Sequence, residues 1–175
     1  ESARVPLLIV APGASVKGGV AKAPMSHVDL YPTLAELCGV KTPANLQGQS
    51  LVPMLKDPTV KGRGWALTQV MRGGGPARAS VTTNVGSDGE RFFGYTLRTP
   101  RWRYTEWDEG KKGRELYDHD ADPREITNLA SLPEHAQTVA ELSQQVRAAA
   151  KSTFPQSGVT PEIQPGVWAP NLTEP

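Results

Sequence analysis

Asp118, Asp120 and Asp122 alternate as the first ligands of a calcium-binding loop do. Such a loop needs glycine at its sixth position and a bidentate glutamate at its twelfth. Pro123 and Leu129 stand there, so a structural turn over Asp122-Pro123-Arg124-Glu125 is expected instead. His27, His119 and His135 lie far apart in sequence, form no spaced metal pair and have no identifiable general-base partner. Gly73-Gly74-Gly75 lacks the Lys-Ser or Lys-Thr of a phosphate loop. It reads as a flexible loop, with a position beside a substrate as the alternative. The lone Cys38 excludes an internal disulfide and a zinc site of several thiolates. It ends an apolar helical stripe and is expected to be a small buried hydrophobe. Arg98, Arg101, Trp102, Arg103 and Tyr104 mix cations with aromatics as a nucleic-acid stripe would. Glu106, Asp108 and Glu109 follow at once, and 19 basic against 18 acidic residues leave a net charge of +1. A structural hairpin is the better reading, and no whole-chain field exists to hold nucleic acid.

The elements that must position these residues are of both kinds. Val5 to Val10 is nearly all apolar and predicts a strand buried on both faces. Residues 26–38 predict a helix with Asp29 at its cap, Pro32 in the first turn and Gly39 as its stop. Leu30, Leu34, Leu37 and Cys38 should form its buried face. Gly48 to Leu55 predicts a turn and one short helix, and Trp65 to Val70 another strand. Phe93, Tyr95 and Leu97 alternate with Gly94, Thr96 and Arg98, while Trp102 and Tyr104 alternate with Arg103 and Thr105. Thr99-Pro100-Arg101 divides the two runs, so an antiparallel hairpin is expected, with Glu115 to His119 as a further strand. Ser131 and Glu134 have capping-box spacing before a helix to about Ala150. Val139, Leu142, Val146, Ala149 and Ala150 should pack on the sheet, with Gln144, Gln145 and Arg147 in solvent.

The 175 residues suffice for one core or for a piece of something larger. No apolar run reaches the roughly 18 residues of a membrane span. The chain starts with Glu1 just before an apolar run, so an earlier beginning is expected, and five prolines from Pro155 to Pro175 predict an irregular tail.

Four segments, in order, resemble the C-terminal part of formylglycine-dependent sulfatases. They are Arg4 to Gly13; Val28 to Gly39 with Gln47 to Leu51; Gly94 to Thr99 leading into Trp102 to Trp107; and Glu115 to His119 with Asp122, Pro123, Glu125 and Asn128 to Ala130. Gln69-Val70-Met71-Arg72 before a loop, and the hairpin strings, are most similar to the iduronate-2-sulfatase branch. The resemblance implies an α/β fold, the C-terminal portion of an alkaline-phosphatase-like sulfatase. Residues 1–64 would end the large domain, residues 65–151 would form a small antiparallel sheet with a helix, and residues 152–175 would be the tail.

The implied reaction is hydrolysis of sulfate esters on sulfated glycans, with formylglycine as nucleophile and Ca2+ balancing the sulfate charge. Cys38 is followed by Gly39-Val40-Lys41-Thr42, so the formylglycine motif is absent, as are the Asp pairs that hold calcium. No catalytic or metal residue is therefore assigned to this chain. The nucleophile and ligands would belong to an N-terminal catalytic region of the same protein, and the isolated piece is expected to be inactive. The family implies a periplasmic or secreted location. Arg72 is the candidate substrate-binding residue, suited to a sugar carboxylate or second sulfate; a solvated loop arginine explains it equally well. Two alternatives stand beside this reading. One is another alkaline-phosphatase-superfamily hydrolase of phosphate or phosphonate esters. The other is a non-catalytic binding module, which requires exposed Trp102 or Trp107, whereas the sulfatase reading requires an apolar, unpaired surface on residues 1–64.

Overall fold

A computed structural model describes residues 5–43, 46–73 and 91–153. The alternating segments form a four-stranded antiparallel sheet in chain order: β1 (Ala66–Arg72), β2 (Phe92–Arg98), β3 (Trp102–Trp107) and β4 (Arg114–Asp118). The β2–β3 turn is closed twice, by the Thr99 amide donating to the Trp102 carbonyl at 2.8 Å and the Trp102 amide donating to Thr99 Oγ1 at 2.9 Å. The hairpin register pairs Leu97 with Tyr104 and Thr96 with Thr105. The third pairing sets Leu116 beside Tyr104. Leu97, Tyr104 and Leu116 thus line one face, where α3 (Ala136–Lys151) covers them with Leu142, Val146 and Ala149. Each such aliphatic contributes about 1.5–3 kcal/mol when fully buried.

The beginning of α3 departs from the expected capping box. A short 3-10 turn, Pro133–His135, precedes it, and no side chain caps either start. Pro133 lacks an amide to be capped and preorganises the turn by its fixed φ. Arg147 is exposed as expected, yet it reaches back to the buried Glu106 of β3, with Nε donating to Oε2 at 3.0 Å. Ser143 Oγ and the Tyr104 hydroxyl donate to Glu106 Oε1 at 2.6 and 2.8 Å. Burial by itself would raise the Glu106 pKa, but the donors from Arg147, Ser143 and Tyr104 outweigh it and hold the carboxyl below its usual range.

Residues 5–63 are built differently. α1 (Leu30–Leu37) and α2 (Val52–Lys56) are short, and Gly39 ends the first with φ 67°. Asp29 caps α1 and is fully buried. Its Oδ2 accepts the Ser26 amide at 2.8 Å, and Oδ1 accepts the Gln49 amide at 2.9 Å together with the Arg63 guanidinium. Thr33 extends this knot, donating to the Asp29 carbonyl and accepting the Leu51 amide at 2.8 Å.

Two expectations are corrected here. The buried side of α1 carries Thr33 and Ala35, while Leu34 and Cys38 face solvent. The demand of buried Asp29 for donors sets the helix orientation, which leaves Leu30 and Leu37 only half-buried. Val5 to Val10 is not a strand. A strand needs a neighbour for its ladder, and no described segment pairs with this one; Leu8 is 88% and Val10 81% exposed. No helix among the described residues is long and apolar enough to cross a membrane.

Candidate functional site

The sheet face away from α3 carries side chains of the opposite parity: Arg72 and Val70 on β1, Phe92, Gly94, Thr96 and Arg98 on β2, Arg103, Thr105 and Trp107 on β3, and Glu115 and Tyr117 on β4. Antiparallel pairing puts these residues side by side, so cross-strand partners are made by register alone. Gly94 lies opposite Trp107, and a Cβ there would run into the indole ring. The missing side chain is what lets Trp107 lie down on the sheet.

Arg72 is the last residue of β1 and is exposed. Its guanidinium sits over the Trp107 ring, 5.4 Å from the centroid. Phe92 meets that ring edge-on, with centroids 6.4 Å apart at 85°. The Lys112 ammonium lies 4.9 Å from the Phe92 centroid, a second cation at the same corner. Gly74, Gly75 and Arg78 of the glycine-rich loop fall outside the described residues, as does the tail from residue 154.

A polar chain runs from this corner across the face. The Trp107 indole donates to Glu115 Oε1 at 3.0 Å, and Arg103 pairs with Glu115 and with Glu125. His119 Nε2 lies 2.7 Å from Glu125 Oε1, and its Nδ1 lies 2.9 Å from Arg98 NH2. A guanidinium only donates, so Nδ1 accepts and Nε2 carries the proton to Glu125. Glu125 holds this bridge from a left-handed backbone, φ 59°, unusual for a residue with a side chain. His119 therefore has the partners that sequence reading did not find. The signal was strand parity: Arg98, Arg103 and Glu115 share one face, and opposite charges on neighbouring strands attract.

The aspartates at and beyond the end of β4 serve the turn, as expected. Asp118 binds Arg101 through both carboxylate oxygens, and that donor first, despite opposing desolvation, lowers its pKa. Asp122 Oδ2 accepts the Ile126 and Thr127 amides at 2.6 and 2.9 Å. These carboxylates are already engaged, and the described residues contain no cluster fit to hold a metal ion. Calcium does not fit this part of the molecule. His135 sits against Trp102, ring centroids 5.9 Å apart, and His27 is exposed.

Comparison with known proteins defines the class. Residues 1–68 match the family described as N-sulphoglucosamine sulphohydrolase, C-terminal. Arylsulfatase K of Gallus gallus is 34% identical over 140 residues, which cover 79% of this chain and 24% of that protein. Delta 4,5-hexuronate-2-O-sulfatase of Bacteroides thetaiotaomicron is 33% identical over 149 residues, covering 81% and 27%. Among solved structures, the phosphonate monoester hydrolase SpPMH from Silicibacter pomeroyi superposes with a TM-score of 0.65 at 26% identity, covering 85% of this chain and 29% of that one. The chain carries a sulfatase C-terminal domain, with arylsulfatase K and a glycosaminoglycan-type sulfatase as homologues, in an alkaline-phosphatase-like fold. It spans about a quarter of the length of the curated relatives it matches.

Proposed function

We propose that this chain is the C-terminal part of a sulfuric ester hydrolase acting on sulfated glycans, and that it forms one wall of the substrate cleft. The finer reading is an enzyme of the iduronate-2-sulfatase type, removing a 2-sulfate from a uronate. The hexuronate-2-O-sulfatase relative supports that choice, because that enzyme is named for a hexuronate 2-O-sulfate. The observation that carries the reading is Arg72: a cation fixed on an aromatic plate, at the open end of a strand, with no ion pair to any described residue. Such a fork suits a carboxylate or sulfate oxygen pair.

Residues 1–64 would complete the large domain and residues 65–151 form the small one. The exposed apolar side chains of Leu8, Val10, Val20 and Leu34 support the first assignment. Trp102 and Trp107 are half-buried, which disfavours a binding module built on exposed tryptophans. In the parent enzyme formylglycine and calcium would supply the sulfur chemistry from residues outside this chain. Export to the periplasm or outside the cell fits the same family reading.

The test is Arg72→Ala in the full-length enzyme. We expect KM for a 2-sulfated uronate disaccharide to rise about tenfold, the loss of one charge-assisted pair, while kcat for a neutral aryl sulfate is unchanged. An unchanged KM removes Arg72 from the cleft. The likeness to the phosphonate monoester hydrolase favours a second reading. Faster turnover of phosphonate monoesters than of sulfate esters would select it.

A further inference from the structure

We infer that Trp107 is a positioning residue for anion recognition: it holds the Arg72 guanidinium flat, so that the fork is already aimed before an anionic sugar arrives. This rests on the reading of Arg72 as a substrate contact and names what makes that contact specific. An arginine side chain at a strand end has several free torsions, and fixing them on binding costs conformational entropy. Resting over an indole removes much of that cost in advance.

Trp107 is itself fixed from three sides. Its ring rests on Gly94, where any side chain would collide with it. Phe92 closes one edge at 85°. The indole N–H donates to Glu115 at 3.0 Å, and Glu115 is anchored in turn through Arg103, Glu125, His119 and Arg98. The polar chain therefore has a role that a surface network lacks: it sets the angle of the plate on which Arg72 lies. Lys112 lies over Phe92 on the same side.

The experiment is a double-mutant cycle in the full-length enzyme, read as KM for a 2-sulfated uronate disaccharide, with inorganic sulfate as a separate competing ligand and the fold read from thermal melting. We expect Trp107→Leu to weaken disaccharide binding about tenfold, and Trp107→Phe, which keeps a ring under the cation, by about threefold or less. In the Arg72→Ala background, Trp107→Leu should cause no further loss. Equal losses from Trp107→Leu with and without Arg72 overturn the positioning role while leaving Arg72 in the site. If Trp107→Leu does not fold, Glu115→Gln, which weakens the tether without removing the ring, takes its place in the cycle. Loss of the coupling there decides against the inference in the same way. No effect of Arg72→Ala overturns the Arg72 reading itself. Inorganic sulfate binding as tightly as the disaccharide counts against selection for a sugar carrying two charges.

Discussion

The sheet with α3 and the segment before it are ordered by different means. Between the sheet and helix lie Leu97, Tyr104, Leu116, Leu142, Val146 and Ala149. Residues 26–63 bury Asp29 and Thr33 together with Ala35, Leu51, Val52 and Met54, while Leu34, and Leu8 and Val10 before them, face outward. The first region has a mainly apolar core. The second joins a few buried apolar side chains to a hydrogen-bonded knot and leaves other apolar side chains exposed. One direct link between them is Gln47 Nε2 donating to the Thr153 carbonyl at 2.7 Å. The contrast is one of balance: apolar burial dominates in the sheet and helix, while residues 26–63 add donor satisfaction around one carboxylate to a smaller apolar contribution.

The sharpest way to break the contrast is paired truncation. Leu97→Ala should cost about 3 kcal/mol, with a lowered melting temperature, because it opens a cavity between sheet and helix. Leu8→Ala should change stability by less than about 0.5 kcal/mol, since the side chain is already in water. Comparable losses at the two positions would mean that the first segment has a core of its own.

Glu106 tests the polar side of the sheet–helix contact. Glu106→Ala strips a shared acceptor from Tyr104, Ser143 and Arg147 and should cost about 2–4 kcal/mol, measured by urea denaturation. Its native carboxyl lies below the ordinary value of 4.5, so the unfolded chain takes up the proton first. The stabilisation is therefore full above about pH 4.5 and declines as pH falls through the lowered native value. Glu106→Gln should flatten that acid limb, and an unchanged limb would assign it to other carboxylates such as Asp118.

Asp29→Asn should have a smaller global effect than Glu106→Ala, about 1–2 kcal/mol, because the isosteric amide keeps one acceptor and loses the charge facing Arg63. Its signature is local. Exchange at the Ser26, Gln49 and Leu51 amides should quicken while the sheet amides stay protected. Uniform quickening across both regions would show that the two unfold as one.

How much of this was legible beforehand follows the same division. The hairpin, β4 and α3 were readable because strand alternation and helical spacing each matched a partner face within the chain. Leu97 and Tyr104 were on the inner face by parity alone. Val5 to Val10 misled because strand character depends on a neighbour that no described segment supplies. The face of α1 was misread because apolar spacing says nothing about a buried Asp29 that needs donors from Gln49 and Arg63. At the site, Arg72 was named from charge and position. Its platform was not, because stacking on Trp107 needs Gly94 directly opposite, a cross-strand register invisible to local reading. His119 stayed hidden for a similar reason: its two partners lie 21 and 6 residues away.

Hydrogen exchange over residues 5–43, in this chain alone and in the full-length enzyme, tests the central claim most directly. If those residues complete the catalytic domain, their amides exchange quickly in the isolated chain and become strongly protected in the whole enzyme, while Leu97, Tyr104 and Leu116 are slow in both. Equal exchange at residues 5–43 in the two proteins would contradict it.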